Sequence, residues 1–317
     1  MKVLVNDGIE DIGIKIMTDA GIMVDTNPVP QEKLKEILPT YDGVCVRSLT
    51  KVRKDLIDAC PKLKVIGRGG VGMDNIDVEY ARSKGIEVVN TPEASSRSVA
   101  ELVFAHALSV SRFLHRAHQE MPVKGAEKFS ELKKNYAKGL EMTGKTMGII
   151  GLGRIGQELA SLALGFGMKV KAFDPHVAET VIKIGDQALD LQVTIKTTVL
   201  EEVLREADYL SLHIPALDKP FLDENTFTKL KKGVIILNAS RGESVDEEAL
   251  LKNLNNGNVA FAGLDVFLHE PTPDQSLLIH PGISATPHIG ASTLEAQNKI
   301  GAELAKKVVD ALFNKNG

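Results

Sequence analysis

The feature that most constrains the fold is a glycine-rich turn between a short apolar run and a helical pattern. The apolar run, residues 146–150, is typical of a buried strand, and the glycines that follow it are Gly151, Gly153 and Gly156. In such a turn the first glycine permits a tight bend, the second lets the backbone approach a pyrophosphate, and the third lets the helix pack closely on the sheet. Because a helix N-terminus offers unpaired N–H groups to phosphates, the pattern predicts a dinucleotide-binding site. The alternative is an ordinary tight turn without a ligand.

An acid downstream of this turn indicates which dinucleotide is bound. Residues 168–173 read as the next strand, and Asp174 ends it, roughly 20 residues beyond the third glycine, where a ribose-binding carboxylate is expected. A carboxylate accepts hydrogen bonds from ribose hydroxyls and repels the 2′-phosphate of NADP. Pro175 and His176 follow, with no arginine directly after the acid, so we expect NAD. The alternative is that Asp174 only ends the strand.

Length and composition are those of an ordinary globular protein. The chain has 317 residues, 43% hydrophobic and 25% charged, with a formal net charge of −4. This length allows two domains, and the charge gives no general attraction to nucleic acid or anionic membranes. Cys45 and Cys60 have no metal-binding or redox spacing, so we expect no metal site. The first residues read as a strand instead of a signal peptide, and no apolar run approaches the ~20 residues of a membrane span. We expect a cytoplasmic protein without membrane or nucleic-acid partners.

Apolar runs and helical patterns alternate before the glycine-rich turn. The predicted strands cover residues 3–5, 43–46, 65–66 and 87–89, and the predicted helices cover residues 31–38, 54–59 and 78–83. Alternation of this kind predicts a parallel sheet flanked by helices. A capping box from Ser98 to Glu101 then predicts the start of a long apolar helix that continues to His118, and a basic stretch over residues 124–138 follows.

A second set of strands follows the glycine-rich turn. Beyond a helix over residues 157–166, strands are predicted at residues 209–213, 234–238, 259–263 and 283–285, and a final amphipathic helix at residues 293–313. The predicted fold class is α/β, with two doubly wound parallel-sheet (Rossmann-like) domains separated by a cleft. We expect the final helix to return to the N-terminal domain. Residues 98–290 are then the dinucleotide-binding domain, and residues 1–97 with 291–317 are a flavodoxin-like substrate-binding domain.

Three residues that suit oxidation of a hydroxy acid each follow a predicted strand. They are Arg241, Glu270 and His288, and ligands of open α/β sheets bind beyond the carboxyl ends of strands. An arginine pairs bidentately with a substrate carboxylate. A histidine takes the hydroxyl proton, and a neighbouring carboxylate orients its ring. Taken singly, each residue has the alternative of a solvated surface charge.

The sequence resembles the D-isomer-specific 2-hydroxyacid dehydrogenases, and within them the phosphoglycerate dehydrogenases. The resemblance runs over nearly the whole chain and rests on four motifs, Gly-Leu-Gly-Arg-Ile-Gly at 151–156, Leu-Asn-Ala-Ser-Arg-Gly at 237–242, Leu-Asp-Val-Phe with Glu-Pro at 264–271, and Pro-His-Ile-Gly-Ala-Ser at 287–292. It implies that Arg241, Glu270 and His288 are the catalytic residues. It also implies that Asp265 approaches the nicotinamide amide and Ala239 the nicotinamide ribose.

The resemblance and the glycine motif together define the expected binding residues. The expected NAD-binding residues are Gly151, Gly153, Arg154, Ile155, Gly156, Asp174, Pro175, His213, Ile214, Pro215, Ala239, Ser240, Asp265 and Gly290. The expected substrate-binding residues are Arg47, Ser48, Lys51, Val71, Gly72, Arg241 and His288. Arg47 and Lys51 would serve the second anionic end of a phosphorylated acid, although Arg47 alone has the alternative of capping a strand.

The expected function is NAD-dependent oxidation of 3-phospho-D-glycerate to 3-phosphohydroxypyruvate, in serine biosynthesis, by hydride transfer with the Arg/Glu/His triad. A dehydrogenase for glyoxylate, hydroxypyruvate or another small D-2-hydroxy acid is the alternative, and an NAD-sensing corepressor-like binding protein is a lesser one. We expect a short enzyme that lacks the C-terminal regulatory domain, without feedback inhibition by serine. We also expect a homodimer formed through the nucleotide-binding domain, with the apolar helix from Val99 onward at the interface.

Overall fold

The computed structural model describes residues 1–185 and 191–313 and divides the chain into two compact units. The first unit comprises Met1–Ser96 and Ala291–Gly317, and the second comprises Arg97–Gly290. The first unit therefore ends one residue before the predicted boundary. Residues 314–317 of the predicted range lie outside the described residues. Within the described part of the chain, no helix combines the length and the apolar character that a membrane span requires.

The first unit is built on a five-stranded parallel sheet with the order β2-β1-β3-β4-β5. The strands are β1 (Lys2–Val5), β2 (Met23–Asp25), β3 (Gly43–Val46), β4 (Val65–Arg68) and β5 (Glu87–Asn90). All four residues of β3 are buried, as expected of a central strand covered on both faces. This strand order is that of flavodoxin-like doubly wound sheets, whose ligands bind beyond the carboxyl ends of the strands.

Helices cover both faces of this sheet. They are α1 (Asp11–Asp19), α2 (Leu34–Ile37), α3 (Lys54–Ala59), α4 (Val78–Ser83) and α12 (Leu294–Phe313), with 3-10 turns at Gln31–Lys33 and Leu38–Thr40. The sequence did not predict α1, which packs on α12 from the other end of the chain. A Cβ on Gly13 would lie 2.7 Å from the carbonyl oxygen of Gly301, so the two helices approach closely only because glycine occupies position 13.

The second unit is built on a six-stranded parallel sheet with the order β13-β12-β11-β10-β6-β7. The strands are β6 (Thr146–Ile150), β7 (Lys169–Phe173), β10 (Tyr209–Leu212), β11 (Val234–Asn238), β12 (Val259–Leu264) and β13 (Ile283–Ala285). Strand β6 lies between β7 and β10, so the chain winds outward from β6 in both directions. Ligands of such sheets bind where this winding reverses, beyond the carboxyl ends of β6 and β10. The predicted α/β class with two parallel-sheet units is confirmed.

The remaining elements of the second unit surround this sheet. They are α5 (Ser96–Ser111), which begins at the unit boundary, α6 (Leu114–Asn135), α7 (Arg154–Gly165), α8 (Leu200–Glu206), α9 (Glu224–Phe227), α10 (Glu247–Asn255), α11 (Gln275–Leu278) and an antiparallel pair of strands, β8 (Glu179–Ile184) and β9 (Leu191–Lys196). The sequence did not predict β8 and β9. Ile182 and Ile195, one from each strand, are buried against the core of this unit.

Two local predictions in this unit are wrong. Helix α5 begins at Ser96, so the predicted capping residue Ser98 lies inside the first turn. The predicted continuous helix to His118 is interrupted at Phe113, whose φ of 57° is left-handed, and α6 then begins at Leu114. Helix α6 also includes most of the basic stretch that was not predicted to be helical. The polarity of that stretch conceals its helical character, because only two residues of α6, Gly125 and Leu132, are buried.

Candidate active site

The glycine-rich turn after β6 has the backbone geometry that its glycines predict. Gly151 has a φ of +92°, and a Cβ there would lie 2.4 Å from the carbonyl oxygen of His213. A Cβ on Gly156 would lie 2.2 Å from the carbonyl oxygen of Gly151. By contrast, a Cβ on Gly153 would meet nothing within 4 Å. Two glycines are therefore needed by the protein itself, whereas Gly153 faces open space at the start of α7, as an approaching pyrophosphate requires.

Asp174 ties the end of β7 to this turn. Its carboxylate accepts hydrogen bonds from the N–H groups of Leu152 at 2.7 Å, His176 at 2.8 Å and Val177 at 3.1 Å. An ionised carboxylate has about four acceptor sites, so capacity remains for a ribose hydroxyl. Arg154 and Ile155 form the first turn of α7, and Pro175 is exposed beside the acid. These residues fit the adenosine and pyrophosphate parts of NAD.

His213 lies against the glycine-rich turn at the end of β10. Its Nε2 is 2.9 Å from Ser211 Oγ, and its Nδ1 is buried without a partner. Burial lowers the pKa of His213 to about 4, so the ring is neutral near neutral pH. Ile214, which follows it, is half-buried, and Pro215 is exposed.

The loop after β11 carries Arg241. Asn238 organises it: the side-chain amide donates to the carbonyl of Arg241 at 2.8 Å, and its oxygen accepts from the N–H and hydroxyl of Ser240. The Arg241 guanidinium donates to the Ser240 carbonyl at 2.7 Å. A Cβ on Gly242 would lie 2.1 Å from the carbonyl carbon of Phe267, so this loop lies directly on the loop after β12. Ala239 is half-buried between Asn238 and Ser240.

Glu270 and His288 form a direct pair. His288 Nδ1 lies 2.8 Å from Glu270 Oε2, and Glu270 Oε1 accepts from the N–H of Phe267 at 3.1 Å. The Glu270 side chain is 35% exposed and the His288 side chain is 51% exposed, so both are accessible to a ligand. Because the carboxylate accepts a hydrogen bond from Nδ1–H, neutral His288 has its free lone pair on Nε2. The sequence prediction that these two residues act together therefore has a direct geometric counterpart.

Asp265 holds His288 in an unusual backbone conformation. His288 has a φ of 54°, which is uncommon for a residue other than glycine, and its N–H donates to the Asp265 carbonyl at 2.8 Å. The Asp265 carboxylate is buried and accepts from the N–H groups of Ile289 and Gly290, both at 2.8 Å. The predicted contact of Asp265 with the nicotinamide stays a prediction. The carboxylate itself fixes the loop that carries His288.

A cavity of about 440 Å³ lies beside the Glu270–His288 pair, entirely within the second unit. It is lined by Phe267, Glu270, Pro271, Pro273, Leu278, Ala285, Thr286, Pro287 and His288. Apart from the catalytic candidates and one threonine, these side chains are apolar. The cavity therefore suits an uncharged group better than an anionic one.

In the first unit, the loop after β3 carries Arg47. Asp7 accepts hydrogen bonds from the N–H of Arg47 at 2.7 Å, from the N–H of Thr50 at 3.1 Å and from the Thr50 hydroxyl. Asn75 donates to the carbonyls of Arg47 and Thr50 at 2.8 and 2.6 Å. Arg47 Nη1 lies 4.0 Å from Glu10 Oε1. Sequence reasoning missed Asp7 and Asn75, although a polar residue directly after an apolar strand is the signal that could have found Asp7.

The other predicted substrate residues of the first unit are accessible. Ser48, Lys51 and Val71 are exposed and Gly72 is half-buried. The Val71 carbonyl accepts from the Asn90 side chain at 2.7 Å, which fixes the loop after β4. Across residues 1–185 and 191–313, no three His, Cys, Asp or Glu side chains are grouped to hold a metal ion.

The sheet order, the glycine-rich turn and the Glu270–His288 pair describe an NAD-dependent oxidoreductase. Comparison with known proteins defines the class further: residues 104–290 match the NAD-binding domain of the D-isomer specific 2-hydroxyacid dehydrogenases. The chain belongs to this family, as the sequence resemblance predicted. NAD is accordingly its cofactor and a D-2-hydroxy acid its type of substrate.

Relatives that are named for different substrates resemble the chain, two of them at the same identity. It is 40% identical over 317 residues to a hydroxypyruvate reductase from Thermotoga maritima, covering 98% of both chains. It is also 40% identical over 319 residues to the human D-3-phosphoglycerate dehydrogenase, covering 99% of this chain but 57% of that protein. A solved structure of a glyoxylate reductase from Paecilomyes thermophila superimposes with a TM-score of 0.83 at 27% identity, covering 98% and 95% of the two chains. The family is therefore clear, and these similarities do not select the substrate.

Proposed function

We propose that the protein oxidises 3-phospho-D-glycerate to 3-phosphohydroxypyruvate with NAD, a reaction of serine biosynthesis. The observation that carries the proposed oxidation is the Glu270–His288 pair, with 2.8 Å between His288 Nδ1 and Glu270 Oε2; the loop of Glu270 lies against that of Arg241. NAD, when bound, supplies the hydride acceptor, and the glycine-rich turn with Asp174 would hold it.

Each of the three catalytic candidates has a separate role in the proposed reaction. Nε2 of His288 takes the proton of the C2 hydroxyl, since Nδ1 is engaged by Glu270. The Glu270 carboxylate stabilises the imidazolium that results, and the N–H of Phe267 keeps it oriented. Arg241 offers a planar fork of donors that matches a carboxylate, next to the reacting carbon.

The catalytic roles are tested by substitution at His288 and Glu270. Positioned acid–base catalysis contributes roughly 10²- to 10⁴-fold, so His288→Ala is expected to lose turnover on that scale. Glu270→Gln should lose less, because the amide still orients the ring without stabilising its charge. His280→Ala, at another histidine of the same unit, is the control. Near-normal turnover of a folded His288→Ala protein would remove the basis of the mechanism.

Substrate choice is assigned to the first unit, through Arg47, Ser48, Lys51, Val71 and Gly72. The loop between Arg47 and Thr50 supports this assignment, because Asp7 and Asn75 hold its backbone, its Arg47 side chain is partly exposed and the following Lys51 is exposed. A phosphorylated acid has two anionic ends and needs cations beyond Arg241.

A dehydrogenase for hydroxypyruvate or glyoxylate is the second candidate, and two observations favour it. Glu10 lies 4.0 Å from Arg47 and partly neutralises it, and the cavity beside His288 is largely apolar. Steady-state kinetics with 3-phosphoglycerate, glycerate and lactate, and with hydroxypyruvate and glyoxylate in the reverse direction, separates the candidates. A preference for unphosphorylated acids would rule out the phosphoglycerate assignment and the phosphate role of Arg47. The same panel with NADP tests the selection of NAD by Asp174.

We also propose that the protein is a cytoplasmic homodimer formed through the second unit. The helix predicted at the interface, α5, uses Val103 and Ala107 in the core of its own unit. The adjacent α6 instead exposes Leu114, Met121 and Phe129, which supports α6 as the contact. Light scattering should give twice the chain mass for the wild type, and Met121→Glu should reduce it toward the monomer mass. Glu127→Gln on the same helix is the control.

A further inference from the structure

A buried histidine that the sequence did not single out reaches the end of β13. His106 is 4% exposed and lies on α5, whose residues Val103 and Ala107 belong to the apolar core of this unit. A polar ring in such surroundings is stable only if its nitrogens have partners. Both do: Nδ1 lies 2.9 Å from Ser284 Oγ, and Nε2 lies 3.0 Å from Thr286 Oγ1.

A glycine on the intervening strand makes room for this ring. A Cβ on Gly263 of β12 would lie 2.5 Å from the Cβ of His106. Gly263 pairs with Ser284 on the neighbouring strand β13. The helix therefore approaches β12 closely enough for His106 to reach the edge strand, and a larger residue at position 263 would prevent this.

The chemistry of the partners determines the direction of each hydrogen bond. The single hydroxyl proton of Thr286 goes to the Asp265 carboxylate, 2.6 Å away, so His106 must donate from Nε2 to Thr286. Burial lowers the pKa of His106, an effect that His115 reinforces and Asp265 opposes, which favours the neutral ring. The Nδ1 atom of the neutral ring is then an acceptor, and Ser284 donates to it. From donor to acceptor, the hydrogen bonds therefore run from Ser284 to His106, from His106 to Thr286 and from Thr286 to Asp265.

The final acceptor in this order is the group that holds His288. Asp265 Oδ1, which receives the Thr286 hydroxyl, also accepts from the N–H of Ile289, and Oδ2 accepts from the N–H of Gly290. The Asp265 carbonyl accepts from the N–H of His288 itself. Rotation of the Asp265 carboxylate would disturb both loop contacts together.

We propose that His106 is a positioning residue for His288: through the hydroxyl of Thr286 it fixes the Asp265 carboxylate and thereby the loop that presents His288. The inference rests on the proposed role of His288 as the base. His106 does not touch the reacting groups, so its loss should lower kcat and leave KM for the hydroxy acid unchanged.

Three substitutions at His106 separate positioning from simple core packing. Gln places its amide near the position of Nε2 and still reaches Thr286. Asn places the same amide near Nδ1 and reaches only Ser284. Met fills the volume without donors. Ser284→Ala removes the other hydrogen bond of the ring and is the matched control. Each full-length variant is assayed with NAD and the hydroxy acid that the wild type oxidises best, after circular dichroism confirms folding.

We expect His106→Asn and His106→Met to lower kcat about tenfold, short of the ~100-fold that a 1 Å displacement of a reacting group can cost. His106→Gln and Ser284→Ala should stay within about twofold of the wild type. Hydrogen exchange read by mass spectrometry over residues 286–292 should show faster exchange at the Ile289 and Gly290 amides in the Asn and Met variants only. This readout does not depend on activity, so it tests His106 even if His288→Ala shows that His288 is not the base.

The comparison between the two amides decides the question if His106→Met fails to fold. Equal kcat and equal amide protection in His106→Gln and His106→Asn would overturn the proposal, because the variants differ in reach to Thr286. A rise in KM with unchanged kcat would also overturn it. A loss of kcat and amide protection in His106→Asn that His106→Gln restores would support it.

Discussion

The two units hold their functional loops by different means. In the second unit, the backbone of Gly242 packs against that of Phe267, and the carboxylate that holds the His288 loop, that of Asp265, is buried. In the first unit, no backbone packing of this kind is needed, because the half-buried carboxylate of Asp7 holds the Arg47 loop and the Arg47 side chain itself is only partly exposed. The proposed catalytic loops therefore tolerate little change, whereas the proposed substrate loop can exchange side chains on a constant backbone.

The largest effect should come from breaking the backbone packing of the second unit. Gly242→Ala places a Cβ 2.1 Å from the Phe267 backbone, so the loops of Arg241 and Glu270 must separate. We expect kcat to fall by about 100-fold or more, as for a reacting group displaced by 1 Å. Gly153→Ala, whose Cβ meets nothing within 4 Å, should leave the melting temperature unchanged. Wild-type kcat in Gly242→Ala would show that the two loops are not coupled.

The next effect is a pH dependence of stability that is caused by His213, the neutral histidine beside the glycine-rich turn. Burial lowers the pKa of His213 from 6.5 to about 4, so the folded protein binds fewer protons than the unfolded chain between these values. The free energy of unfolding should therefore fall as pH drops from 6.5 toward 4, by at most about 1.4 kcal/mol per pH unit from this residue. His213→Gln should remove that part of the slope in urea titrations, and His176→Gln, at an exposed position, should not. Identical slopes in wild type and His213→Gln would contradict the assignment.

A smaller effect is expected from releasing the loop of the first unit. Asp7→Ala removes the acceptor of the Arg47 and Thr50 N–H groups, and a charged hydrogen bond contributes about 1.5–3 kcal/mol. For the hydroxy acid, KM should rise about tenfold with little change in kcat. Asp19→Ala, at an exposed acid paired with Lys15 on α1, is the control. A loss of kcat without a change in KM would place this loop in catalysis instead of substrate binding.

The smallest effect should follow from removing the carboxylate that lies beside the Arg47 guanidinium. Glu10→Gln removes the carboxylate 4.0 Å from its guanidinium, and partly exposed ion pairs contribute about 0.2–1 kcal/mol. With the phosphorylated substrate, 3-phosphoglycerate, KM should fall by about two- to fivefold, whereas with hydroxypyruvate it should stay constant. Glu32→Gln, exposed in the same unit, is the control. Equal changes for both substrates would argue against a phosphate at Arg47.

Elements with one clear local signal were predictable from the sequence. Residues 43–46 and 234–237 are continuous apolar runs, and the strands predicted over 43–46 and 234–238 are buried and have the predicted bounds. Helix α1 was missed because its isoleucines at positions 12, 14 and 16 alternate as in a strand. Its helical state depends on packing against α12, which a glycine at position 13 permits.

For the candidate site, the sequence by itself determined which residues are candidates for the chemistry. Spacing identified the glycines of the turn and Asp174, and strand ends with the family resemblance identified Arg241, Glu270 and His288. A glycine pattern at fixed spacing leaves such a signal by itself, whereas a single charged residue at a strand end is also consistent with a solvated surface position, so those three residues needed the family motifs.

Only the tertiary structure decided how those residues are held. Asp265 beneath His288, His106 over Gly263, and Asp7 beneath Arg47 are contacts between residues distant in sequence. A hydrogen bond depends on the positions of both partners. The sequence around a histidine in an apolar helix is the same whether or not another strand carries a hydrogen-bond partner for it. The sequence therefore determined the chemical groups, and the packing of strands and helices determined their orientation.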